Sequence, residues 1–159
     1  MDWSMTLSKE VRIFKVRENS KLPSRAHSTD AGMDLFYCPD GGIKFTTLLP
    51  GESKLFSTGL KIQVPSNHML QIMNKSGIAS KRSLIVGACV VDEGYTGEVF
   101  VNLHNIGKHT QIIEAGNKLA QGVFVKIEKP PFKVVKNSED LYGEATSRGT
   151  GSLGSTGDT

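Results

Sequence analysis

LIVGACVVDEGYTGEVFVNL, residues 84–103, holds two apolar runs, Leu84 to Val91 and Val99 to Leu103, on either side of Asp92-Glu93-Gly94-Tyr95-Thr96-Gly97. Each run is too short for a core helix and rich in valine, and the acidic, glycine-bearing break between them reads as a turn. The same pattern recurs along the chain. Val11, Ile13 and Val16 mark a first strand, Leu35 to Cys38 a second, and Ile43 to Leu49 a third. Leu55-Phe56 and Leu60 to Val64 flank Gly59, and Met69 to Met73 follows the turn Pro65-Ser66-Asn67. Ile112-Ile113, Val123 to Ile127 and Val134-Val135 complete the set. Short strands at near-regular spacing, punctuated by glycine, proline and asparagine, argue an all-β sandwich or barrel. Only Ser76 to Arg82 reads as a helix, and it is scarcely two turns long.

A chain of 159 residues is one domain with room for a real core. The apolar pattern decays after Pro130-Pro131, which divides the chain into a β-sandwich over 1–136 and a polar, glycine-rich arm over 137–159. The net charge of +3, from 19 basic and 16 acidic residues, is too small and too scattered for a nucleic-acid-binding stripe. No apolar run approaches the roughly 18 residues of a membrane span. The N-terminus shows no charged-then-apolar signal pattern, so a soluble, intracellular protein is expected, in cytoplasm, nucleus or an infected host cell. Cys38 and Cys89 stand 51 positions apart, which reads as two buried, reduced thiols.

Several segments carry chemistry. In Gly87 to Glu98 an apolar strand runs into Asp92, a glycine turn and Tyr95, in the manner of a hairpin. Its small residues leave backbone groups open to a flat heterocycle, although aspartate and glycine also serve turns for purely structural reasons. Asn74-Lys75-Ser76-Gly77 puts a cation, a hydroxyl and a glycine at the start of the helix, with Ser76 as its N-cap. Asp34 sits at a strand entrance, and Gln121 lies in an otherwise apolar strand, either satisfied by backbone or reserved for a ligand. The tail Arg148-Gly149-Thr150-Gly151-Ser152-Leu153-Gly154-Ser155-Thr156-Gly157 can wrap a phosphate chain with N–H groups, hydroxyls and a guanidinium. The same composition also describes a flexible tail that binds nothing. His27, His68, His104 and His109 are scattered, which argues against a zinc site built by the protein.

Ala31-Gly32-Met33-Asp34-Leu35, Lys75-Ser76-Gly77-Ile78-Ala79, Gly87 to Glu98, Gly116 to Gln121 and the Arg148 to Gly157 tail, in this order, resemble the five motifs of the trimeric dUTPase family. The resemblance spans about residues 11 to 157. It implies a jelly-roll-like β-sandwich that assembles as a homotrimer, with active sites shared between subunits and the flexible C-terminal arm closing over one of them. It implies hydrolysis of dUTP to dUMP and pyrophosphate, which limits uracil incorporation into DNA and supplies dUMP for thymidylate synthesis. Asp92 matches the carboxylate that activates the attacking water. Asp34 matches the one that holds Mg2+ through water. Lys75, Ser76, Gly77 and Gln121 match phosphate-binding positions, and Gly87, Val90 and Val91 belong to the strand that reads uracil. Tyr95 matches the ring beneath the deoxyribose, while Arg148, Gly154, Ser155 and Thr156 match the closing arm. Two positions depart from the family pattern. Lys75 stands where arginine is usual, and Leu153, preceded by Ser152 rather than glycine, stands where an aromatic ring usually caps the base.

Three other readings are compatible with parts of this pattern: a related dCTP deaminase, a nucleotide-gated binding protein and a structural or sugar-binding jelly-roll module. The spacing from Val91 to Tyr95 follows the dUTPase motif, and a sugar-binding module would leave the tail unexplained. No regulatory protein partner is named by the sequence.

Overall fold

The computed structural model describes residues 10–147 and 149. In chain order the strands are β1 (Ile13–Lys15), β2 (Met33–Phe36), β3 (Phe45–Leu48), β4 (Ser53–Ser57), β5 (Leu60–Ile62) and β6 (His68–Met73). Helix α1 (Ser76–Arg82) follows, then β7 (Leu84–Val86), β8 (Val90–Val91), β9 (Phe100–Asn105), β10 (Gln111–Glu114) and β11 (Lys118–Lys126). Every strand pairing is antiparallel. The strands form a four-stranded sheet in the order β2-β11-β6-β8, a three-stranded sheet β4-β9-β7 and two two-stranded sheets, β1-β5 and β3-β10. The architecture is a β-sandwich of jelly-roll type.

Alternation along the strands explains where the core lies. On β9, Val101 and Leu103 point inward, while Phe100, Asn102 and His104 lie on the other face. Leu35, Phe56, Leu70, Leu84, Leu103 and Leu119 are each no more than 1% exposed. Burying one such side chain contributes about 1.5–3 kcal/mol over leaving it in water. Tyr37 packs edge-on against Phe56 with ring centroids 5.1 Å apart, and its hydroxyl pairs with Thr46 Oγ1 at 2.7 Å. That bond removes the penalty of burying a phenol.

Four expectations are corrected. Leu84 to Val91 is not one strand but two in different sheets: β7 pairs with β9, and β8 pairs with β6. The crossing occurs at Gly87, whose N–H is held by the Asn102 carbonyl at 2.9 Å, and where a Cβ would come within 2.2 Å of His104 Nε2. Gly87 to Glu98 is therefore no hairpin, because β8 and β9 do not pair and the turn between them links two sheets. Val134-Val135 forms no strand, and Val134 is 95% exposed. Of the two thiols, both free, Cys38 is buried but Cys89 is only half-buried.

The chain divides into one compact unit ending at Glu128 and a second beginning at Lys129. Within the second, a 3-10 turn spans Ser138–Leu141 and Phe132 is fully exposed.

Candidate active site

Strand β11 brings the first cluster together. Gln121 lies in register with Asp34 of β2 on one side and Met73 of β6 on the other. Beyond Met73 the chain passes through Asn74 and Lys75 directly into α1, so Asp34, Lys75, Ser76, Gly77 and Gln121 share one end of the four-stranded sheet. The Gln121 amide donates to the Asn74 carbonyl at 2.9 Å, and the Asn74 side-chain oxygen accepts the Val86 N–H at 2.7 Å. One of the two Gln121 amide hydrogens is thus taken by backbone, and Asn74, which the sequence did not single out, ties the sheet to β7. Gly32 makes room for this amide, since a Cβ there would come within 2.1 Å of Gln121 Oε1. Gly32→Ala is expected to displace the amide and to cost about 1–3 kcal/mol as an overpacked contact. A lower urea midpoint with an unchanged slope would register it.

Asp34 is the electrostatic centre of this cluster. Only 6% exposed, it holds Lys75 Nζ on one carboxylate oxygen and Lys118 Nζ on the other, each at 2.7 Å. Burial alone would raise its pKa. Hydrogen bonds from Lys118 and Lys75, with their charges, outweigh that effect and hold the carboxyl below its ordinary value. A depressed folded-state pKa contributes stability that is complete above the ordinary value of 3.8 and is lost as the pH falls through the folded value. Asp34→Asn should therefore destabilise the protein by about 1–2 kcal/mol at neutral pH, allowing for lysines that are partly exposed. In urea titrations the gap between variant and parent should close as the pH drops below 3.8. A gap that persists in acid would show that packing, not charge, makes the difference.

Ser76 is not the helix cap. Lys75 occupies that position with φ −90° and ψ 120°, no side chain caps the helix, and Ser76 is its first residue. The Lys75 carbonyl already accepts from the N–H groups of Ile78 and Ala79, both at 2.9 Å, which defines it as the cap. The N–H groups of Ser76 and Gly77 consequently have no acceptor within the helix.

The second cluster lies along β8 and its turn. Val91 pairs with Leu70 and Val90 with Gln71, so β8 runs away from α1 and Asp92 emerges at the opposite end of β6. Roughly 10 Å of strand separates the level of Leu70 from that of Met73. β8 is also the last strand of its sheet, so its outer edge pairs with no other strand among the described residues. Open N–H and C=O groups on such an edge can receive a planar molecule as they would another strand. Asp92 is exposed, and its carbonyl accepts the Tyr95 N–H at 3.2 Å. The Tyr95 hydroxyl donates to the Glu98 carbonyl at 3.0 Å.

One chain thus brings Asp34, Lys75, Ser76, Gly77 and Gln121 together at one end of the sheet, and strings Gly87, Val90, Val91, Asp92 and Tyr95 along the edge leading to the other. Arg148, Leu153, Gly154, Ser155 and Thr156 lie outside the described residues. Among the described residues no three His, Cys, Asp or Glu side chains converge as a metal cage. Asp34 alone fits Mg2+ only through water. Each of its oxygens already accepts an ammonium, and a carboxylate has about four acceptor positions in all. No helix among the described residues is long and apolar enough to cross a membrane.

Comparison with known proteins matches residues 18–157 to the dUTPase family. A deoxyuridine 5′-triphosphate nucleotidohydrolase of Clostridium kluyveri is 38% identical over 150 residues, which cover 93% of this chain and 98% of that one. Another from Chlamydia trachomatis is 38% identical over 146 residues, 91% of this chain and 96% of its own. Among solved structures, a variant dUTPase of Staphylococcus bacteriophage 80alpha with dUpNHpp has a TM-score of 0.84 at 24% identity, covering 94% of this chain and 99% of that one. A variant dUTPase of phage phi11 of S. aureus, whose structure reveals the coordination of a structural Mg(II) ion, has a TM-score of 0.73 at 26% identity over 82% of this chain and 99% of its own.

Proposed function

Because the chain belongs to the dUTPase family, we propose that it hydrolyses dUTP to dUMP and pyrophosphate at sites that only an assembly of three copies completes. The observation that carries the shared-site reading is the register of β6. Its Met73 end leads to the phosphate-binding residues and its Leu70 end faces the strand leading to Asp92, an arrangement that supports assigning the two groups of one chain to different sites.

In each site Asp92 orients a water molecule and takes its proton as the water oxygen attacks the α-phosphorus. The bond from that phosphorus to the bridging oxygen breaks, and pyrophosphate leaves with the electron pair. No protein nucleophile is needed, so the remaining groups act by position and charge. Lys75, Ser76, Gly77 and Gln121 hold the phosphates. Lys75 does so as a point charge, without the paired donors of an arginine. The open edge from Gly87 to Val91 reads uracil: a cytosine amine would present a donor where uracil accepts, and a thymine methyl would strike the strand. Tyr95 lies beneath the deoxyribose and leaves no space for a 2′-hydroxyl. Mg2+, when bound with the nucleotide, neutralises charge on the phosphates, and Asp34 would hold it through water. The sandwich of residues 1–136 carries these groups. The arm of 137–159 closes over the nucleotide, with Arg148 and Gly154 to Thr156 on the γ-phosphate and Leu153 making apolar contact with the base.

Subunit mixing tests this reading. Asp92→Asn and Gln121→Ala chains, each weakly active alone, should regain activity when allowed to exchange subunits, because some hybrid sites then receive two intact contributions. Light scattering should give about three times the 17.2 kDa chain mass. Failure of the mixture to exceed its components would mean that each copy builds its own site. Pyrophosphate release much faster with dUTP than with dCTP, dTTP or UTP checks the substrate.

A further inference from the structure

The Arg17 guanidinium joins two carboxylates, Asp40 at 2.6 Å and Glu98, the latter 81 positions away in the chain. Arg17 and Glu98 are mostly buried, with side chains 18% and 14% exposed. The same Glu98 carboxylate oxygen accepts the Gly59 N–H at 2.7 Å. The next residue is also fastened, since the Val99 carbonyl accepts from the Thr58 hydroxyl at 2.7 Å and the Thr58 N–H at 3.2 Å. Residue 98 is therefore held by its side chain and by the backbone that follows it. Its carbonyl is the acceptor for the Tyr95 hydroxyl. The ring lies across Gly97, where any Cβ would come within 2.3 Å of the hydroxyl oxygen. Tyr95 is 47% exposed, so these polar fastenings, more than burial, set the direction of its ring.

We propose that Arg17 and Glu98 are positioning residues for Tyr95, and that through it they set the preference for deoxyribose over ribose nucleotides. The proposal rests on the reading that Tyr95 lies beneath the sugar. Excluding one oxygen atom is a matter of close contact, and a ring displaced by about an ångström no longer excludes it. Removing the Glu98 charge leaves Arg17 without its buried partner and loosens one of the two fastenings of the residue whose carbonyl anchors the ring. Neither side chain belongs to the cluster that holds the phosphates.

The test compares kcat/KM for dUTP and for UTP in the full-length assembly of the parent, Glu98→Gln, Arg17→Lys, Tyr95→Ala and the Glu98→Gln/Tyr95→Ala double variant. Glu98→Gln should lower the preference for dUTP about tenfold, chiefly by admitting UTP. Arg17→Lys keeps the charge but loses the planar fork, so it should lower the preference about threefold. It also reads out the same effect if Glu98→Gln melts at the assay temperature. In the double variant Glu98→Gln should add nothing to the loss caused by Tyr95→Ala, since both act through one ring. Equal changes for both nucleotides, or full additivity in the double variant, would overturn the positioning role while leaving the sugar platform intact. A Tyr95→Ala variant that still prefers dUTP as strongly as the parent would overturn the platform and the proposal together.

Discussion

Asp92→Asn is expected to bind dUTP as the parent does and to hydrolyse it about 10²–10⁴-fold more slowly. Asp92 follows the edge strand β8 and its carbonyl closes the turn to Tyr95, so the substitution alters the side chain without disturbing the backbone. An amide has almost the shape of the carboxylate but cannot accept the proton of the attacking water. The loss should therefore fall on kcat, with binding of a non-hydrolysable dUTP analogue unchanged in calorimetry. If the variant turns over near the parental rate, another group is the base. If binding collapses in parallel, Asp92 is holding the nucleotide rather than the water.

Removing residues 148–159 should leave folding and assembly intact while lowering activity about a hundredfold. Among the described residues the buried hydrophobic core ends at Ala120, ahead of the deleted segment. Ordering a glycine-rich segment costs about 1–2 kcal/mol of backbone freedom per residue, which only ligand contacts can offset. Charge-assisted bonds from Arg148 to the γ-phosphate would contribute about 1.5–3 kcal/mol each, and since a hundredfold loss is about 2.7 kcal/mol, one or two of them would account for it. Melting temperature and scattering mass should match the parent. Hydrogen exchange in the intact chain should show protection of this segment only with the analogue bound. Full activity in the truncated chain would show that the tail takes no part in the reaction.

Much of the β architecture was legible because period-two burial leaves a period-two sequence. Met69 to Met73 falls within β6, and Val99 to Leu103 covers four of the six residues of β9. The pattern could not show that Leu84 to Val91 changes sheets, because inward and outward alternation is the same on either. What breaks the strand is the approach of Gly87 to Asn102 and His104, residues far along the chain. Val134-Val135 has strand propensity but no neighbour to pair with, and propensity alone does not make a strand. In the candidate site, Asp34, Lys75, Ser76 and Gln121 were readable from residue type and order. Lys118 was not: a lysine at the start of a strand looks like any solvated cation until the β2-β11 register brings it to Asp34. Arg17 and Glu98 were hidden for the same reason, as nothing local to either residue marks the other.

The open edge of β8 also bears on how this protein stays in solution. Backbone groups left unpaired among the described residues, beside exposed valine (Val90 is 55% exposed), are what recruits foreign strands and seeds aggregates. β8 spans only Val90–Val91, and the chain leaves its sheet on both sides, through the crossing at Gly87 and the turn at Asp92. Such a ledge offers too few consecutive bonds to template an intruding strand. Substitutions that extended regular pairing back through Gly87 would lengthen the ledge. Their first symptom should be turbidity on concentration, ahead of any loss in catalysis.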